Sequence, residues 1–568
     1  MKKNMMYAIV AVIVAVLIIA AAVLLTLGPA PVTPPRNKYQ LELWYNNDGH
    51  YGDTEDELAT VLKSDIESCN GITVTLRSDT WAAYRQRWSA GQMPAFLLGW
   101  YPDYFDTDDY ISPFLSTSGA ASLGSFYTNA TMDQWIQEEQ STTDPAVRAD
   151  RFGKIQDQLA EDVPYIPLFS GNAHVAYVSG IQNVILHPVT FKWFIMDKPG
   201  ATELNASTTD RIVTLDPASA YDYFSIEIIN QVFDTLLVYE PTAADLMPGL
   251  TTGMPTVSAD GKNWTFTLKP NLRFSDGTAL NATVVARSID RAIRLDIPGS
   301  AAFLLYDVGA LGRDASNGNN TSPGTIEVAP NDRAITFHLA RPVSFFPDLM
   351  AFSVAAPVPW NYDQNGEQPS DAGSVIGSGP YMMTVHQPNQ LIVLERNPIY
   401  DSPALYQSFG IPTIPVEDRV NINIRADATA LKQDIETHAS TGIDVVYRTL
   451  TPTDLTDLDS RETALGIQVV IGASPQIRYL VINVNTITDV RVRQAIAYSV
   501  NRANIDSTVF NGLVEPLYSM VPSSFPFQSP VFQTKYGGSQ NCQGADSLLL
   551  QAGYYIRLTG IWIAGAKP

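Results

Sequence analysis

The apolar run from Met93 to Leu98 stops at Gly99 and gives way to Trp100-Tyr101-Pro102-Asp103-Tyr104-Phe105-Asp106-Thr107-Asp108-Asp109-Tyr110. A short apolar run of this kind reads as a buried strand, which sets a sheet at the centre of the fold. Loops at strand ends are where a rigid sheet can present ligand-contacting groups. Trp100 and Tyr101 offer flat faces, and a carboxylate among them can hold an ammonium group. The same residues suit an acidic, solvated loop with Trp100 tucked into the core, so the segment alone leaves both roles open.

At 568 residues the chain is too long for one ordinary core, and at least two lobes are expected. Hydrophobic residues at 45% and charged residues at 17% fit a globular protein. The net charge of −22, from 58 acidic and 36 basic residues, disfavours nucleic acid and anionic lipid surfaces as electrostatic partners. It suits cationic or zwitterionic ligands, or solubility alone. Two cysteines, Cys69 and Cys542, fall in no Cys-x-x-Cys motif, and the six histidines form no local metal set. No metal or cofactor is expected.

Lys2 and Lys3 precede an apolar run from Tyr7 to Leu25. It is long enough to span a bilayer as a helix and longer than the ~7–15 residues of a cleavable signal core. The reading is an uncleaved N-terminal anchor with the folded part outside the cytoplasm, followed by a stiff spacer from Pro29 to Pro35. Thr54-Glu55-Asp56-Glu57 has the form of a capping box before a helix with Leu58, Val61, Leu62, Ile66 and Cys69 on one face. Trp81, Tyr84 and Trp88 lie at helical spacing and read as core. Asp260-Gly261 reads as a turn between alternating strands, and Ile424 to Val446 as strand, helix and strand. Gly377-Ser378-Gly379-Pro380 reads as a tight turn. It is not the Gly-x-Ser-x-Gly of a nucleophile elbow, and Pro380 blocks a smooth helix after it. Asp489 caps a helix with Val492, Ala495, Ile496 and Val500 on its apolar face.

Gly99-Trp100-x-x-Asp103-Tyr104-x-Asp106-x-Asp108 resembles the Gly-Trp-x-x-Asp-Tyr-x-Asp-Pro-Asp segment of the peptide/nickel class of ABC-transporter solute-binding proteins, the dipeptide- and oligopeptide-binding family. Thr107 stands where that family usually has proline. Arg491 to Arg502 is similar to the family's best-known internal signature, Leu215-Asp216-Pro217 to its opening segment, and Asp546 to Tyr554 to the helix after the signature. The resemblance implies an α/β, two-lobed periplasmic-binding-protein-like (type II) fold with a hinge and an interlobe cleft; the N-terminal transmembrane helix would be added to it. It implies a binding protein, not an enzyme, that captures short peptides outside the membrane for the permease subunits of an ABC importer. By motif match, Asp103 would hold the ligand's α-ammonium and Trp100 would pack on the ligand. Tyr221 and Tyr223, just after the Leu-Asp-Pro segment, are weaker candidates from the other lobe. No partner for a peptide carboxylate is identified, because Tyr45 to Tyr51 contains no arginine.

Other readings are an oligosaccharide-binding member of the family and a non-transport surface receptor or structural protein. A hydrolase using Asp103 with Asp106 or Asp108 is a poor match, since such chemistry needs a fixed pair of carboxylates with divergent pKa values. In an exported protein Cys69 and Cys542 could pair. Possible N-glycosylation acceptors at Asn129, Asn205, Asn263, Asn281, Asn319 and Asn320 fit an external surface.

The family's segments stand in an unusual order. Residues 39–198 resemble the last third of the family sequence, and the chain beyond residue 198 resembles its beginning. Each segment occurs once, so the reading is a circular permutation with the old ends joined near Trp193 to Ala206. The expected organisation is an anchor at 1–28, a linker at 29–38, lobe II from 39–170 and 478–558, lobe I at 171–477, and an unassigned tail at 559–568.

Overall fold

The computed structural model describes residues 38–48, 50–51, 54–312, 325–401 and 403–554, and the backbone of Ile556–Leu558 and Ile561–Ile563. The apolar run from Tyr7 to Leu25 and the spacer after it lie outside the described residues. Among the described residues, no helix is long and apolar enough to cross a membrane.

A mixed sheet of eleven strands runs through the molecule. Its strands in chain order begin with Tyr39–Asn46 (β1), Ile72–Asp79 (β2) and the apolar run, Ala95–Trp100 (β3). Next are Tyr165–Val178 (β4), Glu203–Thr208 (β5), Tyr381–Gln387 (β6), Leu391–Arg396 (β7) and Arg419–Ile424 (β8). Val445–Tyr447 (β9), Ile467–Ile482 (β10) and Glu515–Pro516 (β11) complete it. Across the sheet the order is β6-β7-β8-β5-β9-β4-β10-β3-β1-β2, with β11 also pairing to β4. Neighbours β2-β1-β3 and β9-β5-β8 are parallel, while β3-β10-β4-β9 are antiparallel.

The long pair β4 and β10 joins two regions of core. One core draws on Leu41 to Phe169 and again on Ile477 to Leu549. Two further cores on the other side lie mostly between Val175 and Tyr447, with Tyr104 reaching into one of them. β4 enters the first core at Tyr165–Phe169 and leaves it at Val175 and Tyr177. The first four residues of β3 are buried in succession, so both of its faces are covered, which accounts for its apolar run.

The helix Glu55–Ser68 buries Leu58, Ala59, Val61, Leu62 and Ile66, as the apolar spacing requires. The expected capping box at its start does not form, because the Thr54 side chain makes no cap hydrogen bond. Glu55 instead turns inward and pairs with Arg478 of β10, both side chains 6% exposed. The helix Trp81–Ser89 places Tyr84 in the core, where its hydroxyl donates to the carbonyls of Leu97 and Trp44 at 2.9 and 3.1 Å. Asp489 caps the helix Val490–Ser499 by accepting from the Arg491 N–H at 2.9 Å.

The arginines of the Arg491–Arg502 segment serve packing. Arg493 Nε donates to the Asp162 carbonyl at 2.7 Å, and Arg502 Nη2 to the Pro167 carbonyl at 2.6 Å. They fasten this stretch to the start of β4. The turn at Gly377-Ser378-Gly379 has a steric cause: a Cβ at Gly377 would stand 2.0 Å from the Val232 carbonyl oxygen. Gly261, at φ 70°, supplies the turn before the strand Asn263–Thr267. Cys69 and Cys542 are joined by a disulfide, and the Tyr39 ring meets the Tyr554 ring edge-on at 5.3 Å.

Candidate binding cleft

β3 ends at Trp100, and the loop after it faces the other half of the molecule across a cavity of about 280 Å³. Gly99 is glycine because of crowding at this strand end. A Cβ there would lie 2.9 Å from Cε1 of Tyr51 and 3.0 Å from Nη1 of Arg478. The Gly99 N–H donates to the Tyr51 hydroxyl at 3.1 Å, and the Arg478 guanidinium covers the Tyr51 ring at 3.7 Å. Arg478 therefore fills the neighbourhood of Tyr45 to Tyr51, where the sequence holds no arginine. It is tied to Glu55 and does not line the cavity.

The carboxylates of the loop divide by role. Asp106 receives Arg148 in an ion pair and its Oδ1 accepts the Asp108 N–H at 2.8 Å. Asp108 accepts from the Tyr104 hydroxyl at 2.6 Å and from Gln140 Nε2 at 3.0 Å. Asp109 Oδ2 accepts Trp100 Nε1 at 3.1 Å and the Asp103 N–H at 2.8 Å. These three carboxylates hold the loop in shape, and none of them lines the cavity. Asp103 does line it.

Asp103 is 9% exposed, and its Oδ1 accepts the Tyr221 hydroxyl from across the cavity at 2.6 Å. Burial raises its pKa to about 7, against the Tyr221 hydrogen bond that lowers it. Tyr221 itself is 36% exposed, so the group capping Asp103 has an open side. Trp100 also lines the cavity, with its ring edge-on to Phe114 at 5.2 Å and its N–H held by Asp109. Tyr223 forms part of the wall. Its hydroxyl lies 3.0 Å from that of Tyr447, and Arg448 stacks on its ring at 3.9 Å. All four candidates thus meet at one cavity, Asp103 and Trp100 from one side, Tyr221 and Tyr223 from the other.

Asp234 and Lys192 also line the cavity. Asp234 has a pKa raised by burial to about 7. Lys192 is 8% exposed, with a pKa lowered by burial to about 7. Lys192 stands among Phe191, Trp193 and Phe194, all buried. A lysine inside a buried aromatic run is the one signal in the sequence that could have singled it out.

The halves touch around the cavity. The Tyr101 hydroxyl donates to the Val189 carbonyl at 2.9 Å, and Tyr104 stacks on Phe345 at 4.6 Å. The chain matches the family described as bacterial extracellular solute-binding proteins, family 5 Middle, over residues 29–122 and 245–562, and it belongs to that family. The matched residues leave out 123–244, with the Leu-Asp-Pro segment, and run past Tyr554. Among known relatives is the periplasmic murein peptide-binding protein MppA of Escherichia coli, 27% identical over 199 residues, 35% of this chain and 36% of the relative. Another is the oligopeptide-binding protein OppA of Bacillus subtilis, 25% identical over 335 residues, 57% of each. The chain thus spans little more than a third of the first and just over half of the second. A solved structure of the unliganded, open MppA superposes with a TM-score of 0.43 at 18% identity, covering 62% of this chain and 65% of that one.

Proposed function

We propose that this protein captures short peptides outside the cytoplasm and delivers them to the permease subunits of an ABC importer. The apolar run from Tyr7 to Leu25 tethers it to the membrane in this reading. The observation that carries the proposal is Asp103, a buried carboxylate at the end of a rigid strand that faces the cavity. Its Oδ1 is held by Tyr221, and Oδ2 has no hydrogen-bond donor among the described residues. An α-ammonium reaching this group gains charge-assisted bonds, worth about 1.5–3 kcal/mol net. Trp100 supplies a flat face beside it. A cavity of about 280 Å³ lies at the small end of the usual range for ligand sites, which favours short ligands. The names of the relatives, binders of murein peptide and of oligopeptides, support the ligand class.

The test compares tripeptide pools with free and with acetylated N-termini by calorimetry. Asp103→Asn should weaken the free-amine pool about ten- to a hundredfold and leave the acetylated pool within about twofold. Equal losses for both pools would remove the ammonium-holding role. The pH dependence comes from the same group. Asp103 titrates at about 7, so the charged form that attracts an ammonium is lost as pH falls below that value. Wild-type affinity for free amines should drop about tenfold per pH unit below the pKa, and Asp103→Asn should flatten that slope.

The proposal includes a circular permutation of the family order. The rings of Tyr39 and Tyr554 are in contact at 5.3 Å, so the helix Cys542–Gln551 leads spatially to β1, the connection expected in the unpermuted order.

A further inference from the structure

We infer that Lys192 is the receptor for a carboxylate of the bound ligand, so that the cavity holds a ligand with both an ammonium and a carboxylate group. The inference deepens the peptide reading and rests on it. Among the described residues lining the cavity, Lys192 is the single cation. Of the other cations near the cleft, Lys269, which also acts on Asp234, donates to the Gly249 carbonyl at 2.6 Å and does not line the cavity. Arg478 is paired with Glu55, Arg148 with Asp106 and Glu139, and Arg448 with Asp210 at 2.9 Å.

Lys192 is differently placed. An ammonium has three N–H donors. One goes to the Tyr239 carbonyl at 3.2 Å, and the ring of Phe194 lies 5.6 Å from Nζ. Lys192 has no other hydrogen bond, and no ion pair within 4.0 Å, among the described residues. The carboxylate that acts on it from a distance is Asp234, on the same cavity wall. A buried ammonium with unused donors is unfavourable unless a counter-charge reaches it. A ligand carboxylate would accept those donors and restore the charged form. Asp103 and Lys192 then divide the two ends of a zwitterion between the two sides of the cleft. Such a pairing would reward closure of the cleft, since the full set of contacts exists only when both sides touch the ligand.

The experiment uses the full chain and pools of tripeptides built from neutral residues, with a free or an amidated C-terminus, measured by calorimetry. A third pool is amidated but carries one acidic side chain. Wild type should bind the free acids about ten- to a hundredfold more tightly than the amides, and Lys192→Met should abolish that contrast. If only the acidic-side-chain pool shows the Lys192-dependent gain, the carboxylate comes from a side chain and the receptor role stands. Equal binding of all three pools by wild type overturns the inference without any variant. A contrast that survives in a folded Lys192→Met protein overturns it too. If wild type binds none of these pools, or any acetylated counterpart, the peptide reading itself fails and the inference with it.

Discussion

Replacing Asp216 with alanine should cost the fold about 3–5 kcal/mol, the range for breaking a buried ion pair by removing one partner. Asp216 is the acidic residue of the Leu-Asp-Pro segment, and its structural role is to receive Arg291. The contact is bidentate: Nη1 to Oδ1 at 2.8 Å and Nη2 to Oδ2 at 2.7 Å, with side chains 2% and 0% exposed. Arg291 also donates to the carbonyls of Asp363 and Gly366, at 2.6 and 2.8 Å. Asp216 accepts the N–H groups of Ala218 and Gln368, at 3.0 and 2.8 Å. Removing the carboxylate leaves a guanidinium buried without a counter-charge and orphans two main-chain donors. The measurement is the urea midpoint, for Asp216→Ala and for the double variant Asp216→Ala with Arg291→Met. The double variant should recover part of the loss, because the stranded charge is gone while the main-chain donors remain unpaired. A single-variant loss below about 1 kcal/mol would mean that solvent reaches the pair.

The contrast between Asp216 and Asp103 shows what the sequence could carry. Both sit in motifs that resemble the same family, and nothing local separates them. One carboxylate is consumed by an arginine from a distant helix, and the other is left facing a cavity. The strand and the loop that hold Asp103 were legible because their causes are local: an apolar run, a glycine, then aromatics. The assignment of Asp106 and Asp108 to scaffold roles was not, since it depends on Arg148 and Gln140, which lie outside the segment. The inward turn of Glu55 was not legible either, because its partner Arg478 lies 423 positions along the chain. Lys192 shows in the sequence only as a lysine inside the aromatic run Phe191 to Phe194, and its role depends on burial that composition does not give. The Arg491–Arg502 segment is recognisable as a motif, but its strength lies in hydrogen bonds to main-chain carbonyls near β4 and marks packing alone.

The disulfide turns the order of segments into a thermodynamic prediction. Cys69 and Cys542 are separated by 473 positions, so in the present order the bond closes nearly the whole folded chain. A bond closing a loop of that length should stabilise the native state by roughly 2–5 kcal/mol, through the freedom it removes from the unfolded chain. Consider a reordered chain in which Tyr554 is joined to Tyr39 by a short linker and new ends are opened in the loop before β5. The native contacts are retained, but the same bond now closes a loop of roughly 40 residues. Because the entropy of closure grows with the logarithm of loop length, its contribution should fall by about 2 kcal/mol. The comparison is the loss of stability on changing both cysteines to serine in each order. It should be larger in the present order, and the reordered chain should fold and bind the same tripeptide pools as wild type. A reordered chain that never folds would sink the permutation. Equal losses in the two orders would place the effect of the bond in the native state, where it holds the helix Cys542–Gln551 against the helix Glu55–Ser68, independently of chain order.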